Sequence, residues 1–339
     1  MKRCLISGIS GSIGINFLAY FLAKTDWEII GIDSFRHRGY SDRLNEVLDG
    51  NLEWTKRVTI ITHDLAAPFS EFTKKRIGHI DYIIAMASLS DVEASIQEPV
   101  PFIQNNINLT LNLLEYAREI KPSVFVQIST DEVYGAVSSK HDDLRVEWDA
   151  IIPSNPYAAS KACQEAIAIS YWRTYGVPVI IMNFMNNWGI MQSPAKFPVI
   201  AQKKILANET IQIHGNDKGE IGSRSYIDSR DCADAVLFIL EKSLPYLHQE
   251  EQADRPDRYN IAGDVQLDNL ELAKEIASLM GKELKYEIVN FHKARSGHDP
   301  HYGLDMTKMR KLGWKAPLGW KKSLKDVVEW QQAHPKWIT

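Results

Sequence analysis

Short apolar runs, many of them β-branched, recur through the first half of the chain. They are Cys4–Ser7, Glu28–Asp33, Val58–Thr62, Tyr82–Ala85, Val124–Ser129 and Val177–Met182. The runs are near-continuous rather than alternating, the pattern of strands buried on both faces. Between several of them lie stretches with helical spacing, such as Ile15–Leu22, Pro101–Glu119 and Tyr157–Tyr175. Strand and helix in alternation predict an α/β chain with a doubly wound (Rossmann) parallel sheet. Beyond Met182 the pattern loosens, and Pro194, Pro198, Pro256, Pro300 and Pro317 with Gly215, Gly219 and Gly222 punctuate shorter elements. Residues 1–182 are therefore expected to form a dinucleotide-binding domain. Residues 183–339 are expected to form mainly a smaller C-terminal substrate-binding lobe, with some segments returning to the first domain.

Composition narrows the function classes. The 339 residues carry a net charge of −4, 45% apolar and 24% charged side chains, as an ordinary globular protein does. No basic block or aromatic-basic stripe offers a surface for nucleic acid. Cys4, Cys163 and Cys232 are odd in number and far apart, which predicts reduced thiols and a cytoplasmic location. The ten histidines are scattered, His298 and His301 lying closest, so no metal site is expected. The N-terminal Met-Lys-Arg and the apolar run after it have the look of a signal peptide, but regularly spaced glycines break that run, and a strand-like segment follows it. No apolar run reaches the roughly eighteen residues of a membrane span.

The chemistry begins at the first strand. It runs into Ser7-Gly8-Ile-Ser-Gly11-Ser12-Ile13-Gly14 and then an amphipathic stretch. Glycines at a strand-to-helix turn let the backbone close tightly and let a pyrophosphate approach the helix N-terminus, where free N–H groups and the dipole favour anions. Glycine-rich turns are common, and it is the strand–turn–helix setting that gives this one weight. The next strand ends on Asp33, where a carboxylate can hold a ribose diol and would repel a 2′-phosphate. The plain alternative is a turn aspartate, and Arg36 and Arg38 close by leave NADP open.

Two further stretches hold titratable groups. Ile128-Ser-Thr130-Asp131-Glu132-Val-Tyr-Gly135 places adjacent acids where a buried strand ends. That is either a polar turn or an acid/base pair. Pro156-Tyr157-Ala-Ala-Ser160-Lys161 sets a tyrosine and a lysine on one helical face, where an ammonium favours phenolate. The same Y-x-x-x-K spacing occurs at Tyr20 and Lys24, where core packing is the expectation. In an open parallel sheet ligands sit beyond the carboxyl ends of the strands, so Tyr157 and the acids are expected to face one pocket.

Together these motifs resemble the extended short-chain dehydrogenase/reductase superfamily, and the resemblance spans nearly the whole chain. Asp64-Leu65 looks like its adenine-contacting Asp-Leu, and Asn186-Asn187-Trp188-Gly189 like its Asn-Asn-Tyr-Gly turn. Arg224-Ser-Tyr-Ile resembles a nucleotide-contacting segment, Arg295-Ser-Gly-His298-Asp299 a sugar-nucleotide segment, and Leu312-Gly-Trp314 the late Leu-Gly-Trp. The Thr-Asp-Glu triplet is most similar to nucleotide-sugar 4,6-dehydratases, especially the dTDP-glucose group.

The resemblance implies bound NAD and a nucleotide-sugar substrate. Thr130, Asp131, Glu132, Tyr157 and Lys161 would be catalytic. Tyr157 would take the C4 hydroxyl proton, with Thr130 bonding that oxygen and Lys161 tuning the phenol. Glu132 would remove the C5 proton, and a protonated Asp131 would serve the departing C6 hydroxyl. Gly8, Gly11, Ser12, Ile13, Gly14, Asp33, Asp64, Leu65, Ala87 and Asn106, with Tyr157 and Lys161, would hold the cofactor. Ser90, Asn186, Asn187, Lys196, Arg224, Arg295 and His298 would hold the substrate. A homodimer through the helices at 101–119 and 157–175 is also implied.

The chain departs from the dTDP-glucose pattern at Leu89, Asp91, Leu109, Asn183, Trp188 and Ala195, which opens the choice of hexose and base. A 4-epimerase or decarboxylase with the same Tyr157 and Lys161 is the alternative enzyme. A dinucleotide-sensing protein without turnover is the alternative from another class. Residues 138–155, with charges from Lys140 to Asp149, are expected to form a mobile surface loop near the site.

Overall fold

The computed structural model describes residues 1–37, 39–137, 143–216, 219–243, 254–290 and 300–338. Seven strands form one parallel sheet: β1 (Arg3–Ser7), β2 (Glu28–Asp33), β3 (Val58–Thr62), β4 (Tyr82–Ala85), β5 (Val124–Thr130), β6 (Val179–Phe184) and β7 (Asp257–Ile261). Their order across the sheet is β7-β6-β5-β4-β1-β2-β3, every neighbouring pair parallel. Helices α1 (Gly14–Lys24), α2 (Pro99–Ile120), α3 (Pro156–Tyr175) and α5 (Ser229–Ser243) pack on its faces, while α4 (Phe197–Leu206), α6 (Asn269–Leu279) and α7 (Trp320–Ala333) belong to a second cluster.

The doubly wound expectation holds, and strand parity explains it. Cys4 and Ile6 of β1 turn to one face and pack with Phe17 and Phe21 of α1 and Val236 of α5. Leu5 turns to the other, with Leu113 and Ala117 of α2 and Ala168 of α3. The strands are apolar at consecutive positions because both faces are covered. The apolar run read at Val177–Met182 forms its strand two residues later, over Val179–Phe184. Helix α3 carries its boundaries in its own sequence: Asn155 caps it by accepting from Ala158 N at 2.8 Å, Pro156 opens it, and Gly176 closes it at φ +69°.

After β6 the chain builds a separate apolar cluster from Trp188, Ile211, Ile213, Leu272, Ile276, Leu324 and Val327. Two segments return from this region to the main sheet. β7 pairs with β6, and α5 packs on α1.

The switch in winding direction lies at β1, whose neighbours are β2 on one side and β4 on the other. Loops leaving β1 and β4 close on each other there. Ser7 Oγ accepts from the backbone N–H of Met86 and Ala87, both at 3.0 Å. A Cβ on Gly8 would lie 3.0 Å from Ala87 Cα. This crevice is where open parallel sheets bind ligands.

Candidate active site

The glycine loop is built as its spacing predicts. Gly8 takes φ +71° and donates to Ile32 O at 2.8 Å, and Gly11 N donates to Gly8 O at 3.0 Å. A Cβ on Gly14 would stand 2.2 Å from Gly8 O, so only glycine can open α1 here. The residue before the helix, Ile13, provides no side-chain cap, and the amide end of α1 meets the loop that also carries Ser12. Asp33 accepts from Ser10 N at 3.1 Å through one oxygen and from Phe35 N at 3.0 Å through the other. A carboxylate has about four acceptor sites, so this leaves room for a ribose diol. Beside it opens a cavity of about 530 Å³ lined by Phe35, Gly39, Tyr40, Ser41, Asp42, Ile60 and Thr62. Arg36 forms an ion pair with Asp64 at 2.8 Å, and Arg38 lies outside the described residues. Leu65 is buried, and its carbonyl accepts from Asn112 at 2.8 Å.

The acid turn follows β5. Residues Asp131–Tyr134 form one 3-10 turn ended by Gly135 at φ +74°. Thr130 Oγ1 donates to Asp131 Oδ1 at 2.9 Å, while Asp131 Oδ2 is buried with no hydrogen-bond partner. Burial, and then the charge of Glu132, push the Asp131 carboxyl up to about 7; Thr130 and Arg224 pull weakly the other way. Glu132 is half-buried, and its Oε2 accepts from Asn155 Nδ2 at 3.2 Å. The two adjacent acids thus occupy different environments, which sets an acid apart from a base.

Tyr157 stands in the first turn of α3, its ring edge-on to Phe102 at 6.3 Å, near Thr130. Burial and the charges of Glu132 and Asp131 hold its phenol well above the ordinary range. Lys161 was expected to lower it. Instead its ammonium donates to Ile128 O at 2.7 Å and Gln164 Oε1 at 2.6 Å. Burial brings Lys161 down to about 8 against the opposing charge of Glu165. The deep position of Lys161, one turn along the helix, lets a backbone carbonyl capture it. The second Y-x-x-x-K is packing: Tyr20 donates to Asp234 at 2.5 Å, tying α1 to α5.

Other expected residues divide. Lys196 reaches Ser90 O at 3.5 Å, bringing two of the substrate candidates together. Asn187 Oδ1 accepts from Ser229 at 3.2 Å, and buried Asn186 Oδ1 has no hydrogen-bond partner. Arg224 donates to Ser223 O and Pro300 O and lies 4.4 Å over the Tyr302 ring. Asn106 is fully buried, joining Leu89 N and O to Ser160 Oγ at 2.8–3.0 Å, so its amide ties the β4 loop to α3. Asp91 caps the short helix Val92–Gln97 through Ala94 N at 3.0 Å. Arg295 and His298 lie outside the described residues, as do 138–142.

The stretch at 143–152, expected to be a mobile loop, is instead pinned across the acid turn. Arg145 donates to Ala136 O at 2.7 Å, Ile152 N to Val133 O at 3.0 Å, and the Tyr134 hydroxyl to Glu147 O at 3.1 Å. A Cβ on Gly135 would lie 2.4 Å from Ile152 O. Sequence reading passed over these tertiary anchors and over Asn155, although Asn before Pro is a legible helix-cap signal.

This architecture has known counterparts. The family model described as GDP-mannose 4,6 dehydratase matches residues 5–327. The chain belongs to the GDP-mannose 4,6 dehydratase family. Within reach of this family's curated members, it is 31% identical to the dTDP-glucose 4,6-dehydratase of Haemophilus influenzae over 349 residues, covering 97% of this chain and 98% of that one. It is 30% identical to the low-salt glycan biosynthesis protein Agl12 of Haloferax volcanii over 326 residues, covering 96% and 97%. Among solved structures, DesIV, a dTDP-glucose 4,6-dehydratase from Streptomyces venezuelae crystallised with NAD, superposes with a TM-score of 0.84 at 28% identity, covering 99% and 98%. Among the described residues no helix is long and apolar enough to cross a membrane, and no group of three or more His, Cys, Asp and Glu is placed to hold a metal ion.

Proposed function

We propose that this chain is an NAD-dependent lyase, a nucleotide-sugar 4,6-dehydratase that converts an NDP-hexose to the NDP-4-keto-6-deoxyhexose and water. The observation that carries this reading is the pair Asp131 and Glu132. One is buried with an unpartnered oxygen and keeps a proton part of the time near neutrality; the other is more open and oriented by Asn155. An epimerase has no use for such a pair.

The residues present fit the dinucleotide. Gly8, Gly11 and Gly14 shape a tight turn that leaves the uncapped amide end of α1 open to a pyrophosphate, and Asp33 offers an acceptor to a ribose diol. NAD, when bound, supplies the hydride acceptor for C4, the hydride donor for C6, and a positive charge while oxidised. Tyr157 accepts the C4 hydroxyl proton, with Thr130 bonding the same oxygen. Its raised phenol needs a compensating cation, and Lys161, one turn away, is the chain's own. The new C4 ketone acidifies C5–H. Glu132 removes that proton, Asp131 protonates the C6 hydroxyl as it leaves as water, and Glu132 returns its proton to C5 once C6 is reduced. Lys196 and Ser90, which meet at 3.5 Å, with Asn186, Asn187 and Arg224, would hold the nucleotide sugar.

dTDP-glucose is the first substrate to try, because the Haemophilus influenzae and Streptomyces venezuelae relatives are dTDP-glucose 4,6-dehydratases. We also propose a homodimer through α2 and α3, where Ile103, Ile107 and Leu111 form a half-buried stripe beside exposed Cys163 and Ala166. Sedimentation at low concentration tests it, and a monomer rejects it. Incubation with dTDP-glucose, UDP-glucose and their N-acetyl forms, read by mass spectrometry, tests the reaction. Loss of one water supports it. Unchanged mass with inversion at C4, loss of carbon dioxide, or no turnover on any sugar would reject it in favour of an epimerase, a decarboxylase or a binding protein.

A further inference from the structure

Beneath the acid turn lies a buried charge pair that the mechanism does not use. Glu165 on α3 and Arg258 on β7 meet at 2.6 Å, both fully buried. Glu165 sits four residues beyond Lys161 and therefore on the same face of α3. Its other oxygen accepts from Asn183 Nδ2 at 2.7 Å, and that amide also donates to Thr130 O at 3.1 Å. Arg258 reaches the Tyr134 hydroxyl at 3.4 Å. That hydroxyl has one proton and three acceptors within reach: Glu147 O at 3.1 Å, Asn260 Oδ1 at 3.2 Å and Asn183 Oδ1 at 3.4 Å. A guanidinium donating to its oxygen leaves the proton for the acceptors. Trp148 lies 4.3 Å over the guanidinium and shields it from the outer side.

We propose that Glu165, Asn183 and Arg258 are a buried positioning triad that locks the acid turn, at Thr130 on one end and Tyr134 on the other, to the helix carrying Tyr157 and Lys161. The inference rests on the dehydratase reading above. The triad joins the consecutive elements α3 and β6 to β7, which lies over seventy residues further along the chain. Both ends of the four-residue turn that presents Asp131 and Glu132 hang from it. Thr130 and Asp131 share a hydrogen bond, so a displaced Thr130 backbone carries the acid with it. Glu165 also leaves a carboxylate beside the buried Lys161, favouring its charged form. A buried ion pair broken on one side leaves an uncompensated charge, so the triad is sensitive to single changes.

The test uses the holoenzyme in Arg258→Met, Arg258→Lys and the charge-free double variant Glu165→Gln/Arg258→Met. The last guards against a single variant that fails to fold. In the folded variants lacking the guanidinium, kcat is expected to fall about 10²-fold, the scale of a misplacement near 1 Å. KM should stay within about threefold, since none of the triad is placed to touch substrate. Arg258→Lys should recover part of the loss, because it keeps the charge but not the fork. Amide exchange over residues 130–135 should rise in step. A folded double variant with wild-type kcat and wild-type exchange over 130–135 overturns the triad. The exchange readout does not need turnover. If the wild-type protein dehydrates no sugar nucleotide, the proposed reaction fails while the exchange result still decides the triad.

Discussion

Asp131→Asn should make the protein a poorer enzyme and a more stable one. The variant keeps the size of the side chain and an oxygen to accept from Thr130 Oγ1, but it can neither carry a charge nor release a proton as a carboxyl does. In the folded chain Asp131 titrates at about 7 against an ordinary 3.8, first because it is buried and second because Glu132 is charged beside it. The folded state therefore binds an extra proton between roughly pH 4 and pH 7. Its stabilising contribution is complete below that window, declines as pH rises through it, and is gone above about pH 7. At about 1.4 kcal/mol per tenfold, the difference between 3.8 and about 7 is on the order of 4 kcal/mol held against the native state in alkali. With roughly 2.1 cal/mol/K per residue, 339 residues convert this to about 6 °C. Thermal unfolding of wild type and variant across pH is the assay. The variant's advantage should be absent near about pH 4 and reach its plateau above about pH 7. Turnover, by mass spectrometry of the product, should fall by about 10²–10⁴, the usual worth of a positioned acid. Oxidation at C4 should persist, visible as near-ultraviolet absorbance of reduced cofactor. An Asp131→Asn protein with wild-type Tm at about pH 8 and full turnover would refute both the buried carboxyl and its role as the acid.

Three further outcomes follow from the geometry. Tyr157→Phe should abolish C4 oxidation with little loss of Tm, since the ring keeps its packing on Phe102; measurable cofactor reduction on adding substrate would contradict it. Gly14→Ala puts a Cβ 2.2 Å from Gly8 O, so the loop must open and purified protein should carry little NAD by extraction and absorbance; wild-type cofactor content would count against the loop. Asn155→Ala removes the cap of α3 and the donor to Glu132, so a loss of about 1 kcal/mol in urea unfolding should accompany slowed C5 proton removal, measured by solvent deuterium exchange.

Legibility followed the range of the interactions. The glycine loop and Asp33 at the end of β2 are decided within a few residues and stand in the structure where their local pattern placed them, and the caps of α3, though passed over, are equally local. The two Y-x-x-x-K copies look alike in sequence. Tyr20 is drawn to Asp234 on a helix over two hundred residues away, while Tyr157 opens the helix beside the acid turn. The charges at 143–149 read as solvated, yet Glu147 is buried and Trp148 covers Arg258.

The sequence by itself determined the parallel sheet, the dinucleotide loop, and the adjacency of Asp131 and Glu132, because periodicity and turn chemistry are local. Only the tertiary structure decided that the neighbouring acids differ. Burial and the neighbouring charge of Glu132 raise the carboxyl of one, while Asn155 orients the other. It also decided that Lys161 rests on Ile128 O, and that Glu165 finds its countercharge on β7. A charge's state depends on what removes water from it and what stands across from it. Those partners come from elements far apart in the chain, and no spacing within a motif encodes them.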